Sequence, residues 1–129
     1  MTLAFSKWHG TGNDFILADD RAAAFPAGDL ELVRHLCDRH FGIGSDGLIL
    51  IQAPKNPETR FHMEFFNPDA SKSFCGNGSR CAFAFWSELN KGTSSARFSA
   101  IDGVHEGSWH DGLVAVTLRY VPYVSRGDD

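Results

Sequence analysis

Positive charge is sparse in this chain, and no part of it is both long and apolar. Its 12 Lys and Arg are outnumbered by 16 Asp and Glu, giving a net charge of −4, and the basic residues do not cluster. That leaves no electrostatic footprint for nucleic acid or for an anionic membrane surface. No apolar run approaches the roughly 20 residues that cross a bilayer, and the first residues lack the basic-then-apolar layout of a signal peptide. Cysteine is scarce as well. Three cysteines cannot all pair, so reduced thiols in the cytoplasm are the expectation. Cys75 and Cys81 are too far apart for a zinc-binding cysteine pair, and no His, Cys and carboxylate set has ligand spacing, so no metal is expected. Low-complexity segments and short-period repeats are missing too.

What is present suits one folded domain. A length of 129 residues, 43% of them apolar and 22% charged, is enough for a core and argues against disorder. The chain is organised around Phe74 to Trp86, which reads as a cysteine at the entrance of a buried helix. Gly76 and Gly78 let the backbone bend and approach a ligand closely. From Cys81 to Trp86 the residues are apolar all round, as in an enclosed helix, and Asn90 and Gly92 supply its stop signal. Cys75 would then stand where the first unpaired helical N–H groups point outward, a position that favours anions, a thiolate among them. Cys37 and Cys81 lie in apolar stripes and read as packing residues. Cys75 is followed by Gly-Asn-Gly, and local pattern alone leaves it either reactive or space-filling.

The remaining elements follow in order. Leu3 to Trp8 and Phe15 to Ala18 are predicted strands, joined by a glycine-rich turn from His9 to Asp14. Asn13 in that turn either hydrogen-bonds an amino-acid head group or caps its own turn. Asp29 reads as the N-cap of a helix running to His40, with Leu30, Val33, Leu36 and Cys37 as its apolar stripe. Phe41 to Gly47 is a second glycine-rich turn, leading into a strand at Leu48 to Ile51. Arg60 to Phe66 alternates, which predicts a strand with one buried face, and it ends at the turn Asn67-Pro68-Asp69. Three more strands, 96–101, 104–109 and 113–120, are linked by Asp102-Gly103 and Asp111-Gly112, a strong hairpin signal. The expected fold is α+β: a curved, mostly antiparallel sheet wrapped around a central buried helix, with a second helix outside.

Four segments together resemble a known family. His9-Gly10-Thr11-Gly12-Asn13-Asp14-Phe15, Arg39 to Leu48, Phe66-Asn67-Pro68-Asp69-Ala70-Ser71 and Cys75-Gly76-Asn77-Gly78-Ser79-Arg80-Cys81 are similar to the amino-terminal half of diaminopimelate epimerase. The resemblance implies an isomerase that needs no cofactor and interconverts LL- and meso-diaminopimelate, for lysine and cell-wall synthesis. Its fold would be one of two pseudo-repeat domains. By resemblance Cys75 is one of two catalytic cysteines, Gly76 and Asn77 hold the substrate's α-carboxylate and ammonium region, and Asn13 and Asn67 contact its distal end. Gly47 falls where some members carry a polar substrate-contacting side chain, and no such contact is assigned to it. Relatives with this architecture, the proline and hydroxyproline racemases and a phenazine-biosynthesis isomerase, define an alternative substrate. A non-catalytic binding half-domain is a further alternative.

One departure governs the expectations. The family's second cysteine lies in a carboxy-terminal Ala-Cys-Gly-Ser/Thr-Gly motif that these 129 residues lack. Residues 1–121 are read as the amino-terminal domain, 122–129 as the start of an interdomain linker, and the carboxy-terminal epimerase domain as an absent partner. The chain on its own is expected to be inactive or nearly so, and to self-associate, for example as a homodimer, through the face that the missing domain would cover.

Overall fold

In a computed structural model, which describes residues 4–117, the elements run β1 (Ser6–Gly10), β2 (Asn13–Asp19), α1 (Leu30–Cys37), β3 (Leu48–Gln52), β4 (Phe61–Phe66), α2 (Gly76–Leu89), β5 (Ser95–Ala100), β6 (Gly103–His110) and β7 (Leu113–Val116). The strands form a seven-stranded sheet in sequence order. Neighbours are antiparallel except at β2–β3 and β4–β5. Those two parallel steps are where a helix intervenes, because a parallel connection needs a crossover. The sheet curls about α2, which touches β1, β2, β3, β4, β6 and β7. The expected architecture is the one that forms. The end of the predicted last strand, the start of the first and the proposed linker at 122–129 lie outside the described residues.

Side-chain alternation sorts the core into two layers. Phe15, Leu17, Ile49, Ile51, Phe61, Met63, Phe65 and Phe98 pack with α2. Ile16, Ala18, Leu48, Leu50 and Phe66 pack with Val33 and Cys37 of α1. A strand covered on both sides reads as a continuous apolar run, which explains Phe15-Ile16-Leu17-Ala18 and Leu48-Ile49-Leu50-Ile51. The same double cover corrects the reading of β4. Its second face is buried too, since His62 and Phe66 are enclosed on the side away from α2. Polar residues there disguised a buried face.

α1 ends three residues before the predicted His40. Its N-cap is as expected, Asp29 accepting from the Leu32 N–H at 3.1 Å. At the other end Asp38 turns extended, and its carboxylate accepts from the N–H groups of His40 and Phe41 at 2.7 and 3.1 Å. A side chain that captures backbone donors competes with the next helical turn. The chain then folds back onto the helix end through Ile43 and Gly44, both donating to the Leu36 carbonyl at 3.0 Å. Leu30, placed on the apolar stripe by its spacing, is exposed in the first turn. The first glycine-rich turn is tighter than predicted. Only Thr11 and Gly12 turn, and Gly10 pairs with Asn13 across the hairpin.

α2 is enclosed as its sequence predicts: Gly78, Ser79 and Cys81 through Ser87 are all buried. Gly78 is closely packed against β3. A side-chain carbon there would stand 3.1 Å from Ile49 Cδ1 and 3.4 Å from Cys75 Sγ, a tight fit that the Ile49 side chain would have to yield to. The helix stops where Asn90 and Gly92 were expected to stop it. The Asn90 amide donates to the Trp86 carbonyl at 2.8 Å, and the Gly92 N–H to the Ser87 carbonyl at 2.7 Å.

Candidate active site

Cys75 is the N-cap of α2. Its backbone is extended and its Sγ accepts from the Gly78 N–H at 3.3 Å, while its carbonyl accepts from the Ser79 N–H at 2.8 Å. The first of these bonds satisfies one of the donors that a helix start leaves unpaired, and the second is the first regular bond of the helix. The N–H groups of Gly76 and Asn77 have no partner among the described residues, and the space around the Gly76 α-carbon is open. Cys75 is half-buried, whereas Cys37 and Cys81 are enclosed. Burial pushes both enclosed thiols up. A sulfur, two free N–H groups and the positive end of a 14-residue helix therefore share one corner.

A chain of side chains leads away from that corner. Asn77 Nδ2 donates to Asn13 Oδ1 at 2.8 Å, joining α2 to the β1–β2 hairpin across 64 residues of sequence. Asn13 Nδ2 donates onward to Asp46 Oδ2 at 3.2 Å. Behind Asn77, the Arg80 guanidinium donates to Asn77 Oδ1. Behind Asp46 stands a charge cluster. Arg39 donates to Asp46 Oδ1 at 3.1 Å and to Asp14 Oδ1 at 2.7 Å, and Lys7 donates to Asp14 Oδ2 at 2.9 Å. Hydrogen bonding from Arg39 holds the Asp14 carboxyl well below the usual carboxylate range.

Of the residues that the motifs pointed to, the structure brings Cys75, Gly76, Asn77 and Asn13 together. Asn67 is engaged elsewhere. Its amide nitrogen donates within its own loop to Ser71 O and Oγ, both at 3.2 Å, and to Ser73 Oγ at 3.1 Å. It thereby shapes the segment that delivers the chain from β4 to Cys75. Gly47 has no room for a side chain, because the Phe65 ring lies 2.4 Å from where a Cβ would stand. Asp46 and Arg80 were missed. Both stand inside the glycine-rich motifs, but nothing in their spacing shows that they terminate one chain of hydrogen bonds. Two open cavities of about 360 and 520 Å³ run along the uncovered side of α2, between Trp8 and the β6–β7 hairpin. Arg80 borders the first, while Cys75 and the asparagines line neither.

Comparison with known proteins identifies the family of the chain and its fold. The family model described as diaminopimelate epimerase matches residues 5–118. The diaminopimelate epimerase of Flavobacterium psychrophilum is 41% identical over 125 residues, covering 95% of this chain and 48% of that protein. The enzyme of the same name from Aquifex aeolicus is 38% identical over 128 residues, covering 93% and 46%. The chain thus spans about half the length of the curated relatives it matches. Among solved structures, methylitaconate-delta-isomerase aligns with a TM-score of 0.61 at 14% identity, covering 95% of this chain and 39% of that one. A phenazine biosynthesis protein of the PhzF family from Bacillus anthracis aligns with a TM-score of 0.58 at 10% identity, covering 88% and 38%. At those identities the two structures speak for the fold. The extent of the family match and the identity to the full-length relatives, over a helix that carries Cys75 at its mouth, show that this chain belongs to the diaminopimelate epimerase family.

Proposed function

We propose that this chain supplies one half of a site that inverts an α-carbon of diaminopimelate. The observation that carries the reading is Cys75 Sγ at the N-terminus of an enclosed helix, with the Gly76 and Asn77 N–H groups unspent beside it. In the proposed step the Cys75 thiolate takes the α-proton from one face of the substrate. The C–H bond breaks, an S–H bond forms, and the electron pair spreads into the α-carboxylate. The free N–H groups and the helix N-terminus stabilise the negative charge that builds there. Cys75, Gly76 and Asn77 thus take the acid/base and α-carboxylate roles, with Asn13 toward the distal end of the substrate. Asn67 is proposed to join them on the distal side from the loop that it shapes.

Inversion also needs an acid on the opposite face to return a proton. Cys37 and Cys81 do not fit that role, because both are buried and a proton donor has to reach the substrate α-carbon. The second acid is therefore assigned to the other half of the family's full-length chain. The test is to hold the 129-residue chain with LL-diaminopimelate in D₂O and follow the α-proton and the stereoisomers by NMR. Exchange of the α-proton without inversion is expected. Inversion by this chain alone would overturn the half-site assignment, and absence of any exchange would overturn Cys75 as the base.

A further inference from the structure

The polar chain through the two asparagines has chemically different ends. Arg80 can only donate and the Asp46 carboxylate can only accept. Between them each asparagine amide has one donor face and one acceptor face, so each has two ways round. Of the four combinations, the observed one, Arg80 to Asn77 to Asn13 to Asp46, matches donor to acceptor at every link. Turning Asn13 alone opposes oxygen to oxygen at Asp46 and nitrogen to nitrogen at Asn77. Turning Asn77 alone opposes nitrogen to the guanidinium and oxygen to oxygen at Asn13. Turning both repairs the middle link but leaves both ends mismatched. Every alternative therefore has two repulsive contacts in a half-buried place, where an unmade hydrogen bond is costly.

The Asp46 end is itself clamped. Its Oδ2 takes the Asp14 N–H at 3.1 Å as well as Asn13, and its Oδ1 takes Arg39 at 3.1 Å, so the carboxylate is held from three sides. We propose that Asp46 and Arg80 are positioning residues that lock the amide polarity of Asn13 and Asn77 and thereby make this part of the site a carboxylate receptor. In the locked state each Nδ2 keeps one N–H for a ligand. The surrounding charges lean the same way, with Lys7, Arg39 and Arg80 against Asp14 and Asp46. The identity of the ligand as diaminopimelate rests on the function proposed above; the polarity lock does not.

Side-chain amide NMR on the ¹⁵N-labelled 129-residue chain tests the lock directly. In the unmodified chain, the bonded Nδ2 protons of Asn13 and Asn77 should exchange with solvent more slowly than those of a free asparagine. Exchange at the free rate at both would overturn the proposal without any substitution. In Asp46→Asn or Arg80→Gln, one charged end still dictates the order, and a single set of signals is expected. The double variant has no dictating end and should show two sets, or exchange broadening at both asparagines. Its affinity for diaminopimelate should fall about tenfold beyond the product of the single effects. A double variant with one sharp, unshifted set would overturn the lock. Titration with diaminopimelate and with 1,5-diaminopentane, which lacks both carboxylates, separates the two readings. Only the first should move the Asn13 and Asn77 signals. If neither moves them while the double variant splits, the lock stands and the substrate assignment fails.

Discussion

Two polar clusters in this molecule are built from the same kinds of parts and are finished differently. On the side of the sheet away from α2, His62 bonds Ser99 Oγ at 2.7 Å through Nδ1 and Glu64 Oε1 at 3.3 Å through Nε2, and Lys72 closes the set on Glu64 Oε2 at 2.5 Å. At the mouth of α2, Arg80, Asn77, Asn13 and Asp46 form the other. The first cluster is closed: both nitrogens of its His and both oxygens of its Glu have partners, and the His and Ser are buried. The second is open, with an N–H to spare on each amide and two more on the helix beside it. His62 and Ser99 are register partners where β4 meets β5, a parallel junction with only one other register pair, Phe61 and Phe98. A closed cluster fastens a short junction, and an open one is left to meet something else. Burial costs a polar group its water in either case, so the unspent groups support the open cluster as the end proposed to be functional.

The sharpest way to separate the two places is to change one atom at each, in the cysteine beside the open cluster and in the serine of the closed one. Cys75→Ser keeps an N-cap acceptor, and serine is the better cap, so the urea midpoint should hold or rise slightly. Loss of the proposed base should cut diaminopimelate α-proton exchange about 10²- to 10⁴-fold, the usual worth of a positioned base. Ser99→Ala should do the opposite. His62 Nδ1 would be left unpaired in a buried place, costing about 1–3 kcal/mol by urea denaturation, with exchange unchanged. A Ser99→Ala chain of unaltered stability would show that the junction is held by the Phe61 and Phe98 stack alone, whose rings lie 4.8 Å apart.

How far this contrast could be read from sequence differs between the clusters and the frame that carries them. The frame was legible because its signals are local. Apolar residues all round α2, alternation along β4 and Asp-Gly at the hairpins each report on neighbours in the chain. Asp111 and Gly112 turn with φ of 52° and 80°, as the dipeptide predicts. The place of Cys75 was legible for the same reason, since a cysteine before Gly-Asn-Gly at a helix entrance is a contiguous pattern, whereas local pattern left its role open between reactive and space-filling. The closed cluster was not legible. His62 and Ser99 are 37 residues apart, and alternation assigned His62 to a solvent face. The ends of the open cluster were hidden likewise, because Asp46 reaches Asn13 across 33 residues and through a hairpin whose register only the folded sheet sets. α1 was read too long because the Asp38 side chain takes the backbone donors that the next turn would need, a competition that the apolar stripe does not register.

The smaller effects probe how the closed cluster is held. Hydrogen bonding from His62 and then from Lys72 lowers Glu64 from 4.5 to about 2. A depressed carboxyl stabilises the fold above its ordinary value and loses that contribution as the pH falls through the folded one. Stability should therefore decline between about pH 4.5 and 2, and Glu64→Gln should flatten that part of the curve. Lys72→Met isolates the outermost link. Its side chain is 44% exposed, so the ion pair is screened and should contribute less than about 1 kcal/mol, fading further in high salt. The ammonium also lies 5.2 Å above the centre of the Phe66 ring, and a methionine retains most of that apolar contact. If Lys72→Met instead cost as much as Ser99→Ala, in low and high salt alike, the cluster would depend on its exposed ion pair. The distinction between a sealed fastening and an open receptor would then have to be redrawn around Glu64 and Lys72, with His62 and Ser99 in the lesser part.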